Sequence, residues 1–235
     1  MANKITNRFN IQIIASFIFL TTPLSPLRSQ ENIKVIKKIS EYKQTVKADS
    51  LKIMVELKKI VPGIRYDLRY ATLNNFMHEQ LYKNGDVTFL RLPVAEALSK
   101  VQQELNAKGL CLKIWDAYRP YSATVKMWEP IKDDRYVADP KKGSGHNRGI
   151  AVDLTIIEKR TGAELNMGTG FDNFSDTAHQ DFKNLPEETL QNRLLLKTVM
   201  EKYGFIALET EWWHFYWSRA DFELMDIDFK KFKKN

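Results

Sequence analysis

The chain has 235 residues, 43% of them hydrophobic, which suits one globular domain with a sizeable core. Its formal charge is +7, but four positive charges lie in the C-terminal string Lys230-Lys231-Phe232-Lys233-Lys234. A nucleic-acid-binding protein would interleave basic and aromatic residues over a whole face. We therefore expect a solvated basic tail at 226–235 and no nucleic-acid partner.

The first 29 residues predict a secretory signal peptide. Lys4 and Arg8 precede a short apolar run at 11–20, and a Thr/Pro/Ser-rich stretch follows to about Ser29. The run is too short, and too interrupted by polar residues, to span a bilayer comfortably. We expect an exported protein of the periplasm or cell envelope, without stable membrane insertion once the signal is removed. An uncleaved N-terminal anchor is the alternative.

The first half of the chain after the signal contains one clear helix. Residues 30–54 are rich in Lys and Glu, and are interpreted as an arm that leads into the main domain at 55–225. A turn followed by extended chain is predicted for 61–70. The apolar residues of 93–109 recur at helical spacing, with Pro first and Gly last. The buried strand predicted at 110–115 contains the only cysteine, Cys111, which we expect to be a structural thiol.

The second half mixes short elements with long loops. The predicted elements are a short helix at 122–128, a polar loop at 139–149, a strand at 150–157, a loop at 158–184, a helix from Pro186 to Gly204 and a strand at 205–217. Helices and strands do not alternate regularly, which argues against a doubly wound sheet. The predicted fold is a single α+β domain, in which helices pack on a small antiparallel sheet.

His146 and Asp153 form the first pattern that suits a metal site. The histidine lies in a glycine-bounded loop, and the aspartate follows inside an apolar strand. An acid among apolar residues is costly to bury without a partner. Either the strand turns its side chain away from the core, or a metal neutralises it together with the imidazole. The spacing alone leaves both interpretations open.

Glu211 and His214 form a second pattern, within a run of aromatic residues. One more imidazole would complete a His/Asp/His set that leaves a position for water, as in catalytic zinc sites. Glu211 would then be free to act as a general base. The alternative is an aromatic core strand whose polar residues reach solvent. Arg119, in a loop after the strand at 110–115, could stabilise an oxyanion or form a surface salt bridge.

Together these motifs resemble the D-alanyl-D-alanine dipeptidases, zinc peptidases of a group that shares its fold with the hedgehog signalling domain. The matching strings occur in the family's order over about 55–220: Asp67-Leu68-Arg69-Tyr70-Ala71-Thr72, Asn75-Phe76, Asp116 to Pro120, Ser144 to Asp153, Met167 to Asp172, and Glu211 to Phe215. The chain departs from the family's pattern at Ala117, and at Met77-His78 after the Asn-Phe string, where glycines are expected. His78 and His179 match no ligand position.

The resemblance implies one zinc ion per chain, held by His146, Asp153 and His214. It implies hydrolysis of D-Ala-D-Ala and similar dipeptides to free D-alanine, by attack of a water on the metal with Glu211 as the general base. Combined with the signal peptide, this favours turnover of cell-wall dipeptides in the envelope over antibiotic resistance.

The resemblance also implies three further roles. Arg119 matches the family's transition-state arginine, Asp172 would receive the substrate's free ammonium group, and Ser144 would contact substrate. One alternative is a D,D-carboxypeptidase or endopeptidase that trims longer peptidoglycan peptides. Another is a non-catalytic wall-binding domain. The oligomeric state is left open.

Overall fold

The computed structural model describes Met1 and residues 33–83, 85–218 and 222–233. The predicted signal peptide therefore lies outside the described residues. From Asn32 onward the chain forms one compact unit. In the described part of the chain, no helix has the length and apolar character needed to cross a membrane.

Helices and short strands alternate irregularly along the chain. The strands are β1 (Val35–Ile36), β2 (Met54–Glu56), β3 (Arg65–Tyr66), β4 (Phe89–Arg91), β5 (Leu110–Asp116), β6 (Ala151–Glu158), β7 (Phe205–Ala207), β8 (His214–Trp217) and β9 (Leu224–Met225). The helices are α1 (Ile39–Ala48), α2 (Leu57–Ile60), α3 (Leu92–Asn106), α4 (Tyr121–Ile131), α5 (Gly145–Arg148), α6 (Glu187–Lys202) and α7 (Phe229–Phe232). This mixture confirms the predicted α+β class.

The main sheet has five strands in the order β3-β5-β6-β8-β7. Its pairings are antiparallel as predicted, except that the edge strand β3 runs parallel to β5. Between Ile114 and Asp116 the register of β5 against β6 shifts, so that Asp116 lies opposite Asp153. This irregularity brings two acidic side chains together at the centre of the sheet.

The hydrophobic core lies between this sheet and the two long helices. In α3, the residues Val94, Leu98, Val101 and Leu105 are fully buried, at the spacing of one helix face. This face packs on β5, and α3 also contacts α6. The helices predicted at 93–109 and 186–204 are confirmed, with ends that differ by a few residues.

The single strand predicted at 205–217 is wrong. The segment forms two antiparallel strands, β7 and β8, joined by a turn at 208–213. The N–H of Leu208 donates to the carbonyl of His214 across this turn, and Trp212 and Trp213 are buried within it. Aromatic residues favour strands, so the aromatic run in this segment predicted one continuous strand where the chain turns. The turn directs Glu211 and His214 toward the same cavity.

The terminal segments differ from the expected arm and tail, because both are folded onto the domain. Strand β1 pairs in parallel with β9, and Tyr42 of α1 packs edge-on against Phe232 of α7, with ring centroids 5.2 Å apart. Ile227 and Phe229 are also buried, whereas Lys230 is exposed. The sparse apolar residues of each segment are buried against the other end of the chain, a partnership that local patterns do not reveal.

Candidate active site

His146 is held by a short, well-capped helix. The hydroxyl of Ser144 accepts a hydrogen bond from the N–H of His146 (3.1 Å), and the Asn147 side chain accepts one from the N–H of Ser144 (3.0 Å). This reciprocal capping box satisfies the free N–H groups at the start of α5. Gly149 ends the helix in the left-handed conformation, at φ 72°, which glycine adopts without strain.

One imidazole nitrogen of His146 is oriented toward the other candidate ligands. Its Nδ1 lies 2.7 Å from the carbonyl oxygen of Ala117, which can only accept a hydrogen bond. Nδ1 therefore carries the proton, and the lone pair of Nε2 faces Asp153 and His214. Asp153 in β6 lies directly opposite His214 in β8.

The three side chains point one donor atom each at a common centre. His146 Nε2 lies 3.2 Å from His214 Nδ1 and 3.4 Å from Asp153 Oδ2, and His214 Nδ1 lies 2.9 Å from Asp153 Oδ1. Two ligands of a tetrahedral zinc ion lie about 3.4 Å apart, given zinc–ligand distances of about 2.0 to 2.1 Å. Among the described residues, these three form the group that could share one ion. Burial lowers the pKa of His214, which favours the neutral form that binds metals.

Glu211 lies beside this group, in the turn before β8. It is 6% exposed, and its Oε2 lies 3.9 Å from His214 Nδ1. Burial, reinforced by the charges of Asp153 and Asp172, raises the pKa of Glu211 well above its ordinary value. A carboxylate that readily accepts a proton suits general base catalysis.

Arg119 is a buried cation and not a surface salt-bridge partner. Its Nε donates to Asp116 (2.8 Å), and its Nη2 lies 3.5 Å from Asp153 Oδ2. The guanidinium carbon lies 4.8 Å from the ring centroid of Tyr70. Burial opposes the charge, but Asp116, Tyr70 and Asp153 raise the pKa of Arg119 above its ordinary value. The side chain therefore holds a fixed positive charge next to the three donors.

Asp116 organises this arrangement, although the sequence motifs assign it no role of its own. It is fully buried, it accepts hydrogen bonds from Arg119 and from the hydroxyl of Tyr82 (2.6 Å), and its Oδ2 lies 3.5 Å from His146 Nδ1. A single carboxylate thus orients both the arginine and the first imidazole. The available signal was an acid at the end of a buried strand, three residues before Arg119 in the sequence.

Asp172 has a strained backbone and an unsatisfied carboxylate. Its φ is 58°, in the left-handed region that non-glycine residues rarely adopt. The hydroxyl of Tyr70 donates to Oδ1 (2.9 Å), whereas Oδ2 is buried and has no hydrogen-bond partner among the described residues. Burial raises the pKa of Asp172 to about 7. The buried Oδ2 is therefore an acceptor that no group in the described part of the chain satisfies.

A cavity of about 340 Å³ joins these side chains, within the range of small-molecule sites. All seven predicted site residues line it: Arg119, Ser144, His146, Asp153, Asp172, Glu211 and His214. His78 and His179 do not line it. The Ser144 hydroxyl accepts the helix-capping hydrogen bond, so its own hydrogen is free to donate to a ligand.

The family profile described as D-ala-D-ala dipeptidase, of peptidase family M15, matches residues 50–235. The chain is 36% identical to a D-alanyl-D-alanine dipeptidase of Escherichia coli K12 over 162 residues, 69% of this chain and 83% of that protein. It is 31% identical to one from Enterococcus faecalis over 179 residues (68% and 88%), and 32% identical to one from Streptomyces coelicolor over 177 residues (67% and 87%).

Two solved structures also match. One is the LD-carboxypeptidase LdcB, with 22% identity and a TM-score of 0.36 over 57% of this chain and 61% of that chain. The other is a mutant of the vancomycin resistance D,D-pentapeptidase VanY in complex with Zn(II), with 16% identity and a TM-score of 0.37 over 59% and 77%. The family profile, which matches most of the chain, and the sequence relatives show that this chain is a peptidase of the D-Ala-D-Ala dipeptidase family.

Proposed function

We propose that this protein is a zinc-dependent dipeptidase that hydrolyses D-alanyl-D-alanine and similar D,D-dipeptides to free D-alanine. The observation that carries the proposal is the content of one cavity. It combines three convergent metal donors, a buried carboxylate beside them and a second carboxylate with an unpaired oxygen. Hydrolysis of a free dipeptide requires a metal site, a general base and a group that binds the amine in one cavity, because the amine lies only one residue away from the scissile carbonyl that the water attacks.

His146, Asp153 and His214 would hold the zinc ion. Two imidazoles and one carboxylate suit zinc, and their mutual distances match a tetrahedral site that has room for one more ligand. Bound there, zinc supplies a Lewis acid that polarises the peptide carbonyl and makes water more acidic.

Glu211 accepts the proton of the attacking water and delivers it to the leaving amine. Its buried position beside His214, and its raised pKa, suit a group that must both take and return a proton. Arg119 stabilises the negative charge that develops on the carbonyl oxygen. The hydrogen bond to Asp116 fixes this arginine in advance, so the reaction does not have to reorient it.

Asp172 receives the substrate's ammonium group. Its Oδ2 is buried without a partner in the described part of the chain, and an ammonium group supplies both a donor and the opposite charge. Ser144, at the start of α5, contributes a hydroxyl donor to the same cavity. Recognition of the free amine would restrict the enzyme to unblocked substrates.

The predicted signal peptide places this activity in the cell envelope, where the enzyme would break down dipeptides released from the wall. Fractionation of cells that express the full-length chain tests this part of the proposal. Retention in the cytoplasm would contradict it and would favour a role in removing wall precursors.

The activity is tested by measuring D-alanine release from D-Ala-D-Ala by the purified mature protein. We expect release that a chelator abolishes, that Glu211→Ala abolishes, and that N-acetylation of the substrate prevents. Trimming of capped or longer peptides without cleavage of the dipeptide would show a carboxypeptidase instead. No cleavage of either substrate by zinc-loaded protein would mean that the substrate assignment is wrong.

A further inference from the structure

Three aromatic side chains from three separate loops form a continuous surface, which we call the aromatic wall: Phe76, Tyr136 and Phe174. The rings of Tyr136 and Phe174 are stacked, with centroids 5.0 Å apart and an interplanar angle of 30°. Phe76 meets Phe174 edge-on at 5.1 Å. Such contacts stabilise ring pairs beyond their buried area, so the wall links the three loops.

The aromatic wall is connected to Asp172 through the chain and through Tyr70. Phe174 follows Asp172 by two residues, and the ring of Phe76 packs edge-on against Tyr70 at 6.2 Å. Tyr70 is the residue whose hydroxyl donates to Asp172 Oδ1, and the backbone amide of Phe76 helps to lower the pKa of that carboxyl. Tyr136 lines the cavity itself. Asp172 and one ring of the wall, Tyr136, therefore line the same cavity.

A second set of contacts braces the wall from the catalytic side. The hydroxyl of Thr210, next to Glu211, donates to the backbone carbonyl of Arg135 (3.0 Å). The guanidinium carbon of Arg135 lies 5.2 Å from the ring centroid of Tyr136. The loop that carries Tyr136 is thus tied both to the turn that carries Glu211 and, through Phe174, to the loop that carries Asp172.

We infer that the aromatic wall limits the length of the substrate, because it closes the cavity beyond the position of the substrate's amine. This inference rests on the proposed function. In a dipeptide, the amine is one residue away from the scissile carbonyl. If the amine binds at Asp172, an acyl group or a further residue attached to it would extend past Asp172 and meet the rings of the wall. N-acylated and N-terminally extended peptides are then excluded by shape, in addition to the loss or displacement of their charge.

Two substitutions each remove one ring of the wall. Phe174→Ala removes a ring that is larger than an acetyl group, and Tyr136→Ala opens the surface that faces the cavity. We expect each to raise the ratio of kcat/KM for N-acetyl-D-Ala-D-Ala to kcat/KM for D-Ala-D-Ala by about tenfold or more. Tyr136→Phe keeps the ring and should keep the wild-type ratio. Leu73→Ala alters an exposed side chain outside the wall and serves as the matched control.

The outcomes separate this inference from the function on which it rests. If the wild-type enzyme cleaves D-Ala-D-Ala and both alanine variants keep its ratio, the wall inference is overturned and the dipeptidase function stands. If the wild-type enzyme cleaves only the acetylated peptide, or neither, the proposed function fails and the inference fails with it. If Phe174→Ala does not fold, as judged by circular dichroism, the half-buried Tyr136 decides the question through its Ala and Phe variants.

Discussion

Replacing Asp172 by Asn should raise the stability of the protein and lower its kcat/KM for the dipeptide. The Asp172 carboxyl is buried, its Oδ2 has no partner in the described ranges, and burial raises its pKa to about 7. A carboxyl whose pKa is higher in the folded than in the unfolded chain is costly to ionise in the folded state. The stability of the wild-type protein therefore falls as pH rises from 3.8 to about 7, and the cost is fully present above that pH.

The size of this cost follows from the two pKa values. A change from 3.8 to about 7 corresponds to about 4 kcal/mol, at 1.36 kcal/mol for each pH unit. Asn keeps the shape of the side chain but cannot ionise. We therefore expect the stability of Asp172→Asn relative to wild type to rise by up to about 4 kcal/mol between pH 4 and pH 8. Urea unfolding of the metal-free protein measures it, since a bound cation would itself favour the ionised carboxyl.

The same substitution removes the charge that receives the ammonium group. A hydrogen bond to a charged group contributes about 1.5–3 kcal/mol, so kcat/KM should fall about 10- to 150-fold at pH 8, mainly through KM. As pH falls, the wild-type carboxyl becomes protonated and wild type and variant should converge; in the zinc enzyme this occurs below pH 7, because the bound cation favours the ionised form. Their ratio at each pH cancels effects of pH on zinc binding, because both proteins carry the same ligands.

Asp181→Asn is the matched control, because it makes the same chemical change at an exposed carboxylate. It should produce neither the gain in stability nor the loss of kcat/KM. The reasoning is refuted if Asp172→Asn is no more stable than wild type at pH 8 relative to pH 4. A kcat/KM of Asp172→Asn equal to that of wild type at pH 8, where the wild-type carboxyl is ionised, would show that the Asp172 charge does not bind the substrate.

Three further substitutions test other parts of the site. Glu211→Gln should lower kcat about 10²- to 10⁴-fold while the bound zinc, measured by metal analysis, is unchanged; activity near wild type would exclude Glu211 as the base. His214→Ala removes one of the three donors, so zinc should be lost on dialysis, and zinc retained at one per chain would contradict the ligand set. The Arg193 guanidinium donates to the carbonyls of Met167, Thr177 and His179, at both ends of the loop that carries Asp172. Arg193→Ala should lower the free energy of unfolding by about 3 kcal/mol and raise KM more than it lowers kcat; an unchanged KM would show that the loop holds its shape without it.

Local patterns predicted the parts of the fold whose cause is local. The apolar spacing of α3 and the start of α6 after Pro186 both reflect the period of one helix face, which the sequence displays directly. The turn between β7 and β8 was missed because Trp212 and Trp213 favour a strand by type. Their burial under neighbouring loops, and not their propensity, decided the conformation.

In the candidate active site too, local patterns predicted some residues, and others could be identified only from tertiary contacts. His146 and Asp153 lie seven residues apart and could be paired from the sequence, whereas Tyr70, Tyr82 and Asp116 received no individual role. These three act through contacts across long sequence separations, such as the hydrogen bond from Tyr82 to Asp116. The aromatic wall is also of this kind, because its rings come from three loops that meet only in the folded chain.

The sequence by itself determined the fold class, the family resemblance and the seven candidate site residues, since each of these depends on residue type, order and short-range periodicity. Only the tertiary structure decided that the terminal segments pack on the domain, that Asp116 holds Arg119 and faces His146, and that a carboxylate with an unpaired oxygen shares a cavity with one ring of the aromatic wall. The physical reason is that hydrogen bonds, burial and shape depend on which distant residues become neighbours, and a one-dimensional pattern does not contain that information.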